Sequence, residues 1–397
     1  MDTTYALVNA KVFTVTGPPV EKGTVLVRDG KIAQVGKNVN VPDGMKTFNL
    51  SGKSVTPGFI DAHCHVGVFN EGVGEVGNDG NDYSNPITAE VKAADGIYPD
   101  DEGFTDALSS GITSLCIGPG SANVIGGQMA LVKIRSNILD EIVVNDYCGL
   151  KCAFGENPKR VYGSRNTMPT TRMGVAAVFR KTLTDVLNYK RSRDHHASKK
   201  PENDNPPAPF KVDYQKEVIA EVLSGRQQLR AHAHRADDIQ TAIRLAEEFG
   251  VDIVIEHATE AHKIAEWIAK KGVSLILGPL NHFKSKVELR DASVEGPRIL
   301  EEAGVHFAIM TDAPVRKINA LFDDVRLAVR HGLSRETALK SITLNAARIL
   351  EADENIGSIE NGKDADLVVF DGDPFDFMSA PVATIVDGKV RHGELTA

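Results

Sequence analysis

From about residue 105 to residue 310 the chain alternates short apolar runs with helix-patterned stretches, and this alternation limits it to folds built from parallel βα units. The segment 105–110 closes a helix, and 112–117 (ITSLCI) follows as a strand. The pattern repeats with strand 229–232, helix 237–249 (DDIQTAIRLAEEF) stopped by Gly250, and strand 252–256. Helix 262–271, strand 273–277, a helix around 298–303 and strand 306–310 complete the series. Several such units in a row form a barrel or a doubly wound sheet. No GxGxxG follows a first strand, which removes the main sign of a dinucleotide fold.

The two ends read differently. Residues 23–35 (GTVLVRDGKIAQV) are two apolar-alternating runs joined at Asp29-Gly30, a hairpin signal. Near the other end, 366–371 (DLVVFD) reads as a strand and 382–392 (VATIVDGKVRH) as a second hairpin turning at Asp387-Gly388. Strands at both ends enclosing βα units imply a composite β-sandwich of 1–56 plus 355–397 around a (β/α)8 TIM barrel of 57–354, an α/β architecture that 397 residues accommodate. The polar, proline-rich stretch 191–209 reads as a surface insertion, with His195 and His196 solvated in it.

A net charge of −9 argues against nucleic acid as a partner. The four cysteines, Cys64, Cys116, Cys148 and Cys152, lack metal-finger or disulfide-framework spacing and read as reduced core thiols. The opening MDTTYALVNAKVF has neither the basic nor the apolar region of a signal peptide, and no apolar run reaches membrane-spanning length. A cytoplasmic chain acting on a small molecule is expected, with self-association left open.

In a barrel of this kind the active site lies at the C-terminal ends of the strands. His63 and His65 close the first strand (VTPGFIDAHCH), two residues apart and hence on one face. His232 and His234 close the fifth (LRAHAHR), Glu256 and His257 the sixth (VDIVIEHA), and Asp312 the eighth (FAIMTDAP). Lys151 sits among apolar residues in CGLKCAFG, where a lone ammonium is costly. A salt bridge, a depressed pKa or conversion to a carbamate would each account for it. Glu156 follows as a further carboxylate. Histidines at several strand ends with carboxylates suit Zn2+ or another divalent transition metal. Lys159, Arg160 and Tyr162, after the fourth strand, are candidates for contacting a substrate carboxylate or oxyanion. The glycine-rich 118–128 (GPGSANVIGGQ) lacks the ending of a phosphate-binding loop.

PGFIDAHCH, together with LKSITLNAARILEADENIGSIENGKDADLVVFD near the other end, resembles the signatures of the amidohydrolase superfamily, which includes urease, isoaspartyl dipeptidase, imidazolonepropionase and prolidase-like dipeptidases. The resemblance implies that His63 and His65 bind the more buried metal and that His232 and His257 bind a second. It implies that Asp312 is both ligand and general base. It also implies that Lys151 is an N6-carboxylysine bridging two metals, with Glu156 as the alternative bridge. At the fifth strand His232, directly after the apolar run, is preferred over His234. The implied function is hydrolysis of a C–N bond in a dipeptide or N-acyl amino acid by one or two metal ions. The alternatives are a mononuclear cyclic amidohydrolase or deaminase of the imidazolonepropionase type, and an inactive scaffold.

Overall fold

The stretch 55–65, continuous by pattern, divides at Gly58 into the strands Ser54–Pro57 and Phe59–Cys64, with His65 just beyond the second. A Cβ at Gly58 would lie 2.2 Å from Thr113 Oγ1, so no side chain fits at the crossing. Ser54–Pro57 pairs with Tyr5–Val12 and with Leu367–Phe370, tying the two ends of the chain together. Phe59–Cys64 instead runs parallel to Ile112–Ile117. These features come from a computed structural model describing residues 3–199 and 208–396.

The terminal strands form an eight-stranded sheet. Its two predicted hairpins turn where expected, with Asp29, Gly30, Asp387 and Gly388 all at positive φ, as the tight turns of twisted hairpins require. The tips meet, since a Cβ at Gly30 would lie 2.8 Å from the Asp387 carbonyl oxygen. Leu7, Val25, Val27, Ile32, Val55, Leu367, Val369 and Ile385 form this sheet's core. Lys133, buried on the strand Ala130–Lys133, reaches across to it, with Nζ 2.8 Å from Asp364, 3.0 Å from Asp366 and in contact with Asp387.

The middle of the chain is a mixed α/β arrangement of a four-stranded and a six-stranded sheet. The strands Leu150–Ala153, Leu229–Ala233, Ile253–His257, Ser274–Leu277 and Phe307–Ile309 run parallel in sequence order. Ile60, Ala62, Cys116, Leu131, Val254, Ile276, Ala308 and Met310, drawn from both sheets, pack into one interior cluster. Hydrogen bonds bridge the sheets at two seams: Met129 N to Gly149 O and Cys148 N to Met129 O, both 2.9 Å, and His65 N to Ala313 O at 2.8 Å.

Two departures from the expected pattern have physical causes. First, the glycine-rich segment continues past its loop into Ile125–Gln128 and Ala130–Lys133, which run antiparallel to their neighbours. Gly127, at φ 138°, sits against the Val91 carbonyl, where a Cβ would approach to 2.6 Å. Second, the stretch expected to begin a loop at residue 191 is helical: Arg172–Ala197 is one helix of 26 residues. Its Leu183, Val186 and Tyr189 anchor the helix upstream, and residues 191–197, none of them buried, continue it into solvent, so composition alone read its polar end as a loop. His195 and His196 lie in its last turn. Residues 200–207 of the proposed insertion fall outside the described residues. Among those described, no helix is long and apolar enough to cross a membrane. All four cysteines are free and buried.

Candidate metal centre

The strand ends converge. His63, His65, Lys151, His232, His234, His257 and Asp312 are all buried. The ring centroids of His232, His234 and His257 lie 4.3–4.6 Å apart, and those of His63 and His65 lie 4.9 Å apart. Two of these residues depart from strand geometry to get there. Successive strand residues normally face opposite sides. His257 at φ 67° and Asp312 at φ 57° adopt the left-handed region, which costs a non-glycine residue on the order of 1–3 kcal/mol. That turn brings both Glu256 and His257 into the site.

Second partners orient the imidazoles. His65 Nδ1 lies 2.7 Å from the Gly118 carbonyl and His257 Nδ1 3.0 Å from the Gly278 carbonyl. A carbonyl only accepts, so each Nδ1 carries the proton and Nε2 keeps a free lone pair, the tautomer of a metal ligand. His234 Nδ1 is 2.8 Å from Thr259 Oγ1. Burial lowers the pKa of His65, His232 and His234 and takes that of His257 down to about 3; neighbouring cationic groups add to it at His232 and His234, while Asp312 opposes it at His65 and His257. Asp312 shifts down well below the usual carboxylate range. Burial opposes its charge, but its electrostatic interactions with His257, His63 and His65, the last two with Nε2 at 3.3 and 3.2 Å from Oδ1, outweigh it. Neutral imidazoles beside an ionised carboxylate are what a divalent metal needs. Ligand atoms of His232, His234 and His257 lie within 4.8 Å of one another, as do those of His63, His257 and Asp312. The residues therefore fit a metal, with His257 common to both groups.

Lys151 resolves its burial by pairing with Glu256, and its Nζ lies 3.3 Å from His63 Nε2. Glu256 also faces Arg230 at 2.9 Å and His63 Nδ1 at 3.2 Å. Burial alone would raise the Glu256 pKa; His63, Lys151 and Arg230 hold it well below the usual range. The same carboxylate overrides the cost of burying charge on His63 and raises that pKa. Arg230 is wholly buried and donates to the Ala62 carbonyl at 2.8 Å. Gly149 makes room for its stem, since a Cβ there would lie 2.6 Å from Arg230 Cγ.

A cavity of about 390 Å³ opens over these groups. Arg160 lines it, as do Gly120 and Ser121 of the glycine-rich loop. Those loop residues are tied to the preceding loop: Gly120 N donates to Gly80 O at 2.7 Å, Ala122 N to Asn81 Oδ1 at 3.1 Å and Asn123 Nδ2 to Asp82 O at 2.8 Å. Glu156 and Lys159 line a neighbouring cavity instead, and the Tyr162 hydroxyl turns away to the Asn85 carbonyl at 2.7 Å. Sequence reasoning missed Lys286 and His282, which also line the site, because nothing in the loop GPLNHFKSK marks them. It noted Glu256 without a role. An acid inside an apolar strand needs a partner just as Lys151 does, and that signal was present.

Comparison with known proteins agrees with this chemistry. A family model described as "Amidohydrolase family" matches residues 214–393. The chain is similar to a crystallised amidohydrolase from Thermotoga maritima MSB8, at 45% identity and a TM-score of 0.93, covering 98% of this chain and 100% of that one. It is 30% identical over 395 residues to the amidohydrolase tasK of Hapsidospora irregularis, spanning 94% of this chain and only 40% of that protein. It is also 24% identical to the imidazolonepropionase of Picrophilus torridus, covering 90% of this chain and 87% of that enzyme.

Proposed function

The chain belongs to the amidohydrolase family, and from that premise we propose that it hydrolyses the C–N bond of a small N-acyl amino acid or dipeptide using divalent transition metal, Zn2+ foremost. The observation that carries this reading is the convergence of His63, His65, His232, His234, His257 and Asp312 beneath one cavity. We take the two middle sheets, bridged at their seams, as a distorted (β/α)8 barrel spanning 57–354. The terminal sheet is then a sandwich-type domain of 1–56 and 355–397.

His63, His65, His232, His257 and Asp312 would hold the metal, with His234 beside His232 as a further imidazole. When bound, the metal supplies a nucleophile from water at neutral pH and polarises the scissile carbonyl. The chain's own residues do the rest. Asp312, kept ionised by its histidines, accepts the proton of the attacking water and passes it to the leaving nitrogen. The cavity volume suits a substrate of dipeptide size.

A second reading has its own support. Carbamate formation needs a neutral amine at Lys151, and the carbamate would then face Glu256 as a like charge. A mononuclear enzyme of the imidazolonepropionase type needs no such lysine. The complete ligand set speaks against an inactive scaffold.

Elemental analysis of wild type and Lys151→Ala separates these readings. About two metals per chain, falling sharply in the variant, support a carboxylysine-bridged pair. About one metal, unchanged in the variant, removes the binuclear proposal. A panel of dipeptides, N-acyl amino acids and cyclic amides, offered to the metal-loaded wild type, tests the activity. Turnover of none of them overturns the hydrolase reading.

A further inference from the structure

The cavity carries positive charge that the chain leaves unmatched. Lys286 and Arg160 both line it, and neither has an ion-pair partner among the described residues. Nearby cations are matched: Arg172 pairs with Asp238 and Glu288, and Arg316 with Asp324. Of the acids that act on Lys286, Glu288 and Asp312 are already engaged, and Glu156 forms no ion pair with it. Glu288 accepts from Arg172 and from the Glu156 backbone N–H at 2.8 Å, and Asp312 is held by His63 and His65. The one polar contact of Lys286 is long, Nζ to Asn157 Oδ1 at 3.4 Å. Burial accordingly lowers its pKa, although Glu288, Glu156 and Asp312 pull the other way.

Withdrawing an ammonium from water without a counter-ion is unfavourable, and a fold retains such a group where a ligand completes it. Position identifies the ligand. The amide nitrogen of the same Asn157 lies 3.3 Å from His232 Nε2 and donates to Ser121 Oγ at 2.7 Å. An anion on Lys286 is therefore one side-chain amide away from a metal-ligating histidine. In an N-acyl amino acid or dipeptide, only the amide nitrogen and one Cα separate the scissile carbonyl from the carboxylate.

We propose that Lys286, assisted by Arg160, binds the free carboxylate of the substrate, so that the site selects acids over their amides; this rests on the hydrolase reading above. Ammonium and guanidinium together suit a carboxylate through charge-assisted hydrogen bonds.

The test compares dipeptides and N-acetyl amino acids with their carboxamides, using metal-loaded wild type, Lys286→Met, Lys286→Arg and Arg160→Met. Wild type is expected to favour the acids in kcat/KM by roughly 10- to 100-fold, the worth of a charged hydrogen bond. Lys286→Met collapses that preference through KM, Lys286→Arg restores part of it, and Arg160→Met weakens it. Absence of a preference in wild type, or equal losses on acids and amides in Lys286→Met, overturns the inference. Titration of N-acetylleucine and N-acetylleucinamide into wild type and Lys286→Met by calorimetry reads binding without turnover. If no panel member is hydrolysed yet wild type alone favours the acid, the hydrolase reading fails and the anion site stands. Equal affinities for acid and amide overturn the anion site itself. Arg160→Met, at an exposed position, carries the test if Lys286→Met does not fold.

Discussion

Replacing Glu256 by Gln examines the charge arrangement on which the site is built. The carboxylate faces Lys151 and Arg230, both essentially without solvent exposure, and His63. Gln keeps the shape and removes the charge, leaving an ammonium and a guanidinium buried without their shared counter-ion. Breaking a buried pair in this way costs about 3–5 kcal/mol. With two cations released, a loss of about 4 kcal/mol is expected, close to a thousandfold in the unfolding equilibrium. Urea unfolding of the protein in chelator, at pH 7.5, isolates the effect from metal binding. Adding Lys151→Met to Glu256→Gln removes one orphaned charge, so the double variant should be more stable than the sum of the single losses by about 1–3 kcal/mol. A loss under about 1 kcal/mol for Glu256→Gln, or strict additivity in the double variant, would refute the pairing and leave Lys151 free for carbamate formation.

Three further outcomes are expected. His257→Asn, removing the imidazole common to both candidate metal-binding groups, should lower metal affinity by on the order of 100-fold or more, whereas His195→Asn leaves it unchanged; elemental analysis after dialysis distinguishes them. Lys133→Met should destabilise by about 3–5 kcal/mol in urea without changing metal content, since Asp364, Asp366 and Asp387 lose their shared cation. Burial, then Glu156 and Asp238, raise the Glu288 pKa from 4.5 to about 7, so between those values the folded state holds a proton that the unfolded chain releases. Its contribution to stability is complete below pH 4.5 and lost as pH rises toward 7, and Glu288→Gln should flatten the urea midpoint across that window.

The features legible in the sequence were those with a local period or a local cost. Strand ends bearing His63, His65, His232, His257 and Asp312 stood out because alternation placed them at equivalent positions. Lys151 stood out because an ammonium in an apolar run demands an explanation, and the ion pair with Glu256 supplies one of those anticipated. The partner itself lies 105 residues away, a distance no local pattern spans. Lys286 is invisible for the same reason: its significance is an absence of partners, which exists only in three dimensions. The antiparallel course of Ile125–Gln128 and Ala130–Lys133 was masked by glycines that read as turns. Tyr162 illustrates the converse error, since proximity to a strand end does not fix the side on which a hydroxyl lies.

The reversal of the chain at residues 125–133 also bears on how such a site diversifies. A parallel unit has its own strand end and loop, free to vary alone. Here the loops at 80–82 and 118–123 clasp each other by backbone and amide hydrogen bonds, and Asn81, Gly120 and Ser121 together form one wall of the cavity. The two loops are thus one structurally coupled unit. A graft of either loop alone onto a relative carries half a clasp; moving both transfers the whole wall while the strand-end histidines and Asp312 stay in place.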